Sequence, residues 1–133
     1  MDTLETEARV DNLDEVIEFI DSALEKVCCP AKDQMQIDLA VEEIFVNIAH
    51  YAYAPKVGMA VISIDISGGQ VRIVFMDHGI PYDPLAREDP DITLPPEERG
   101  IGGLGIFMVK QSMDDIKYEY KDGQNILTII KEI

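Results

Sequence analysis

From Asn12 to about Cys29 the apolar residues Leu13, Val16, Ile17, Ile20, Leu24 and Val27 fall on one helical face, and Asp14, Glu18, Asp21 and Glu25 stack into a stripe beside it. The pattern predicts a helix with Asp11 or Asn12 as its N-cap and Pro30 as its stop. A second helical stripe runs from about Asp33 to Tyr53 and ends before Pro55. Met59 to Ser67 and Gln70 to Asp77 read as strands around Gly68-Gly69, a two-residue hairpin signal. A short strand near Leu4 to Val10 precedes the first helix. A helix from about Gly103 to Met113 and strands near Ile116 to Tyr120 and Asn125 to Lys131, joined by Asp122-Gly123, close the chain. Between the two halves, Ile80 to Arg99 holds five of the seven prolines and a cluster of acids. A loop of that length in a compact domain reads as a lid or a binding loop.

Strands with helices inserted in pairs predict an α+β fold: a two-layer α/β sandwich whose mixed, largely antiparallel sheet carries helices on one face. With 133 residues and 47% hydrophobic content, the expectation is a single domain spanning residues 1–133. No run of about 18 apolar residues is present, and the start, MDTLETEARVDNLDE, is acidic where a signal peptide is basic and then apolar, so the expectation is a cytoplasmic protein with no membrane partner. The net charge of -15, from 26 acidic against 11 basic residues, argues against direct nucleic-acid binding, because no basic stripe is available to displace counterions. Cys28 and Cys29 are adjacent, too close for an ordinary structural disulfide, and too few for a zinc site. The Asp14–Glu25 stripe has two readings, a solvated face or an edge offered to a basic partner.

Three polar stations stand at the edges of predicted elements. Glu43 and Asn47 are four residues apart on one face of the second helix; Asp77-His78-Gly79 ends a strand; Arg99-Gly100-Ile101-Gly102-Gly103-Leu104-Gly105 opens a helix. There is no GxxxxGK[ST] motif, and the glycines follow a loop where a dinucleotide fold has a strand. A glycine run entering a helix still makes a phosphate cradle, since unpaired N–H groups and the positive end of the helix dipole converge there.

Glu43-x-x-x-Asn47 with the following His50-Tyr51-Ala52-Tyr53, Asp77-x-Gly79, the long loop and Gly103-Leu104-Gly105 resemble the N, G1 and G2 boxes of the GHKL ATPase superfamily. Within it the similarity is to the bacterial anti-sigma-factor serine kinases of the RsbW and SpoIIAB type, and it covers nearly the whole chain. The resemblance implies ATP and Mg²⁺ as cofactors, with Asn47 as the metal ligand and Glu43 as general base. It implies that Asp77 takes the adenine amino group beside Gly79, that Gly100, Gly102, Gly103, Leu104 and Gly105 close over the phosphates, and that Arg99 reaches the γ-phosphate. The function implied is an anti-sigma factor and protein serine kinase acting on a STAS-domain anti-anti-sigma protein. The alternative is an ATP-binding adaptor of the same fold that transfers no phosphate. A sigma factor is then a partner, and the family leaves room for a homodimer. Two stretches depart from the family: Leu13-Asp14-Glu15 stands where the kinases present an arginine, and Gly123-Gln124-Asn125 stands where the third box has a Gly-Thr pair.

The chemistry of the residues suits these roles. Mg²⁺ takes hard oxygen ligands and keeps waters, so one Asn carbonyl with the phosphates suffices. An ionised Asp77 only accepts, which selects an exocyclic amine over the carbonyl of guanine, and Gly79 leaves room for a flat base. His50, three residues past Asn47, reads as a packing or hydrogen-bonding residue rather than a catalytic one.

Overall fold

The computed structural model describes residues 2–53, 57–81, 83 and 103–133, with the backbone alone at 103 and 104. Strand β1 (Asp2–Glu7) leads through a 3₁₀ turn (Val10–Asn12) into α1 (Leu13–Lys26) and α2 (Ala31–Asn47), which continues as a π-helical turn (Ile48–Ala52). Then come β2 (Met59–Ser67), β3 (Gln70–Asp77), α3 (Gly103–Ser112), β4 (Asp115–Lys121) and β5 (Gln124–Glu132). The sheet order is β1-β2-β3-β5-β4. The α+β sandwich expected from the sequence is present.

The expected mixed sheet is corrected: every pairing among the described residues is antiparallel. Two helices between β1 and β2 return the chain to the end it left, which makes those neighbours antiparallel. The single helix before β4 leaves that strand parallel to β3, but β5 inserts between them, so the parallel pair never forms. Both hairpins follow from left-handed backbone that glycine adopts without strain. Gly68 and Gly69 have φ of 57° and 75°, and Asp122 and Gly123 have 54° and 78°.

Ala60, Ile62 and Ile64 on β2, Val71, Ile73 and Phe75 on β3, and Leu127 and Ile129 on β5 point to one side, as the period-2 alternation requires. Val16, Ile20 and Leu24 of α1 and Ile37, Val41, Ile44 and Phe45 of α2 cover them. Val27, placed on that apolar face by periodicity, is instead 45% exposed, because α1 has already ended. The helix closes on Cys28 at φ 55°, where the Cys28 N–H donates to Glu25 O and the Cys29 N–H to Leu24 O. This cap satisfies orphan carbonyls with a residue that is usually glycine, and Pro30 serves to precede α2 rather than to stop α1. The predicted N-cap also differs: the Asn12 amide donates to Glu7 O at 3.0 Å and makes no capping bond. Both cysteines are free, and no helix among the described residues is long and apolar enough to cross a membrane.

The acidic stripe is not uniformly solvated. Asp14, Glu18 and Glu25 are exposed, whereas Asp21 is half-buried, and Oδ1 of Asp21 and Oδ1 of Asp38 on α2 are both buried with no partner unless one carboxyl keeps its proton and donates to the other. Burial, then the neighbouring Asp21 side chain and Glu25, push the Asp38 carboxyl up to about 8. The unfolded group titrates near 3.8, so between that value and about 8 the native state holds an extra proton and stability falls as pH rises. Asp38→Asn is therefore expected to match the wild type below pH 4 and to exceed it at pH 8 to 9. Because Asp38 is partly solvated, the gain is on the order of 1 kcal/mol, or roughly 5 °C in Tm. Thermal unfolding of both proteins across pH 4–9 checks this, and parallel curves would remove the Asp21–Asp38 pair from the stability profile.

Candidate functional site

Because Ile37, Val41, Ile44 and Phe45 anchor one face of α2 in the core, Glu43 and Asn47 share the neighbouring, half-buried face. Asn47 Nδ2 donates to Glu43 Oε1 at 3.3 Å. That bond turns the amide oxygen away from the carboxylate, the orientation a cation would need. Asn47 is the last α-helical residue, and the π turn that follows carries the chain to Tyr53. The Tyr53 hydroxyl accepts the His78 N–H at 2.7 Å and donates to Met59 O at 2.6 Å, while the Ile80 N–H donates to Ala52 O at 2.9 Å. Burial pushes the Tyr53 hydroxyl above its usual range, with Asp77 adding to the shift against the bond from His78, so it keeps its proton to donate. These bonds tie the end of α2 to the end of β3 and so set Asn47 relative to Asp77.

Gly79 belongs to the same staple. A Cβ there would collide with the main-chain oxygen of Ala52, so the room this glycine provides is taken by the backbone of the π turn. Asp77 continues the inward alternation of β3 and is only 4% exposed, a carboxylate at a core position. Its Oδ1 accepts the Gly79 N–H at 2.8 Å and the Asn125 amide at 2.9 Å. Neither of these donors uses Oδ2.

Asn47 and Asp77 line one apolar cleft with Ile44, Ile48, Phe75 and Ile106. Its free volume is about 30 Å³, against the few hundred that ligand pockets enclose, so the cleft must widen to admit a purine. Glu43 lines a separate groove of about 500 Å³ between α2 and α3, with Leu39, Gly105 and Met108. A Cβ on Gly105 would meet the Glu43 carboxylate, so the glycine in the first turn of α3 seats that side chain. Backbone N–H groups of Gly103, Leu104 and Gly105 begin the helix, where intrahelical acceptors are lacking and anions are favoured. Among the described residues no three His, Cys, Asp or Glu side chains gather to hold a metal. A cation here would depend on the Asn47 oxygen together with oxygens of a bound phosphate, a donor set that suits Mg²⁺.

The structure thus brings together Glu43, Asn47, Asp77, Gly79 and Gly105, with the backbone of Gly103 and Leu104. Arg99, Gly100 and Gly102, with nearly all of the Ile80–Arg99 segment, lie outside the described residues. His50 is exposed and stands edge-on to Tyr51 at 6.1 Å. Sequence reasoning passed over Tyr118 and Asn125. The departure at Gly123-Gln124-Asn125 was a signal for Asn125 alone, and the strand register that sets Asn125 opposite Asp77 is a tertiary fact.

Among the described residues a five-stranded antiparallel sheet packs under three helices, the fold of a histidine kinase-like ATPase domain. The family profile described as "Histidine kinase-like ATPase domain" matches residues 6–131, and the chain belongs to that family, of the GHKL type. Among curated relatives, "Serine-protein kinase RsbW" of Bacillus thuringiensis (strain Al Hakam) is 29% identical over 99 residues, 71% of this chain and 62% of that protein. The protein of the same name from Bacillus cereus (strain 03BB102) matches equally. The match therefore spans less than two thirds of those relatives. Among solved structures, the RsbU and RsbW domains of Rv1364c from Mycobacterium tuberculosis superpose with a TM-score of 0.69 at 18% identity, over 99% of this chain and 32% of that one. Acinetobacter baumannii histidine kinase AdeS gives 0.53 at 16% identity, over 99% and 68%. At such identities the likeness is one of fold.

Proposed function

We propose that the chain is an ATP- and Mg²⁺-dependent anti-sigma factor with protein serine kinase activity toward a STAS-type anti-anti-sigma protein. The observation that carries the reading is the Glu43–Asn47 hydrogen bond at the junction of two spaces, with Asn47 lining the closed cleft beside Asp77 and Glu43 lining the open groove beside Gly105. The buried end suits a base and the open end suits a protein hydroxyl. In this reading Asp77 takes the adenine amine, Asn47 holds Mg²⁺ by its amide oxygen, and the N–H groups opening α3 take phosphate oxygens. A Mg²⁺ held by the Asn47 oxygen would supply neutralisation of the phosphate charge.

Glu43 accepts the proton of the incoming serine hydroxyl as its oxygen bonds to the γ-phosphorus. The bond from that phosphorus to the bridging oxygen breaks, and ADP leaves with the electron pair. Leu39 and Met108, 58% and 60% exposed, flank the groove and would meet the substrate protein. Arg99 is proposed as the γ-phosphate contact on the family resemblance alone.

Incubating the purified chain with radiolabelled ATP, Mg²⁺ and STAS-domain proteins of its own genome tests this. Label on a serine of one of them, dependent on Glu43, is the expected result. Tight ATP binding without transfer to any of them would leave the adaptor of the same fold as the correct reading.

A further inference from the structure

The alternation of β5 places Asn125 on the helix-facing side, directly across from Asp77, with Leu127 across from Phe75 and Ile129 across from Ile73. The neighbouring pairs are apolar, so a buried amide at this position, 5% exposed, requires polar partners. It has them in a fixed order. The Tyr118 hydroxyl donates to Asn125 Oδ1 at 2.5 Å, and Asn125 Nδ2 donates to Asp77 Oδ1 at 2.9 Å and to Ile80 O at 2.8 Å.

The direction of this chain follows from what each atom can do. Asp77 and the Ile80 carbonyl offer acceptors, so the NH₂ end of the amide must face them, and its oxygen is left to take the tyrosine proton. Those two acceptors select the amide orientation, and the Tyr118 hydroxyl on β4 holds the oxygen that this orientation turns toward it. A flipped amide would set its oxygen against Asp77 Oδ1, two acceptors with no proton between them. With Oδ1 held from both sides by Asn125 and the Gly79 N–H, the plane of the Asp77 carboxylate is set and Oδ2 is the oxygen left for a ligand. Tyr118, Asn125 and Asp77 all line the same cleft.

We propose that Asn125, its amide oxygen held by Tyr118, is a positioning residue for base recognition, holding Asp77 so that Oδ2 meets an exocyclic amine on a purine. The inference rests on the cleft being the base site of the proposed function. It adds that selectivity for the amine is set from β4 and β5, with Asn125 in the stretch that differs from the third box of the family it resembles.

A purely structural amide would affect all nucleotides alike, whereas a positioning amide affects only ligands that carry the amine. The test measures Kd by calorimetry for ATP and for the triphosphate of unsubstituted purine riboside, which lacks the amine, with wild type, Tyr118→Phe and Asn125→Ala. In the wild type ATP is expected to bind about tenfold more tightly, the worth of one buried hydrogen bond. Tyr118→Phe, which keeps the ring and its packing, is expected to bring that ratio most of the way to unity without changing the affinity of the amine-free analogue, and Asn125→Ala to do the same. An unchanged ratio in both variants, or an equal loss for both ligands, overturns the positioning role while leaving ATP binding intact. No binding of either triphosphate by the wild type overturns the base site itself and the inference with it.

Discussion

Glu43→Gln is expected to bind MgATP as the wild type does and to transfer phosphate about 10²-fold more slowly or worse, the usual worth of a general base. The substitution is nearly isosteric and its amide oxygen still accepts the Asn47 N–H, so the pair and the seat against Gly105 survive while the proton acceptor is lost. Asn47→Ala is expected to do the reverse. Its loss removes the side-chain oxygen that the proposed function gives to Mg²⁺, lowering metal-dependent nucleotide affinity by at least about tenfold, the scale on which even indirect metal contacts are felt. Titrations with and without Mg²⁺, set beside single-turnover transfer, separate the two. Wild-type transfer by Glu43→Gln together with wild-type MgATP binding by Asn47→Ala would reduce the pair to a helix-surface hydrogen bond of the ordinary kind.

Asp77→Asn is expected to cost roughly 1–3 kcal/mol of ATP affinity, the penalty for facing one buried donor with another. The orientation is dictated by the neighbours. The Gly79 N–H and the Asn125 amide both require an acceptor where Oδ1 stands, so the new amide keeps its oxygen there and turns its NH₂ toward the ligand. An exocyclic amine then meets a donor, while the carbonyl of a guanine or hypoxanthine base meets a partner. The variant should lose ATP binding and gain relative affinity for GTP or ITP. Calorimetry with the three nucleotides decides it, and an unaltered order of affinities would remove Asp77 from base recognition.

Both arguments combine residues legible from the sequence with contacts that were not. Glu43 and Asn47 could be paired beforehand because helical geometry is local: four residues always return to the same face. The β2–β3 hairpin was legible to the residue, from period-2 alternation around Gly68-Gly69, a turn that glycine permits. Helix ends were less so. Asn12 spends its amide on Glu7 rather than on α1, and the α2 stripe hides the change from α to π geometry after Asn47, since apolar spacing barely differs between the two over one turn.

The chain's own sequence determined the order of elements, the apolar faces, the acidic surplus and three polar stations, because these depend on side-chain type and on spacings within single elements. Only the tertiary structure decided what the stations touch. Among the described residues it made every strand pairing antiparallel by inserting β5 beside β3, and that insertion put Asn125 opposite Asp77. It turned Asp21 from a solvated stripe toward Asp38, and it set Gly79 against Ala52 and Gly105 against Glu43. Each of these is a contact between elements distant along the chain. Their register is set by how the shared core packs, a property of many residues at once that no local pattern carries.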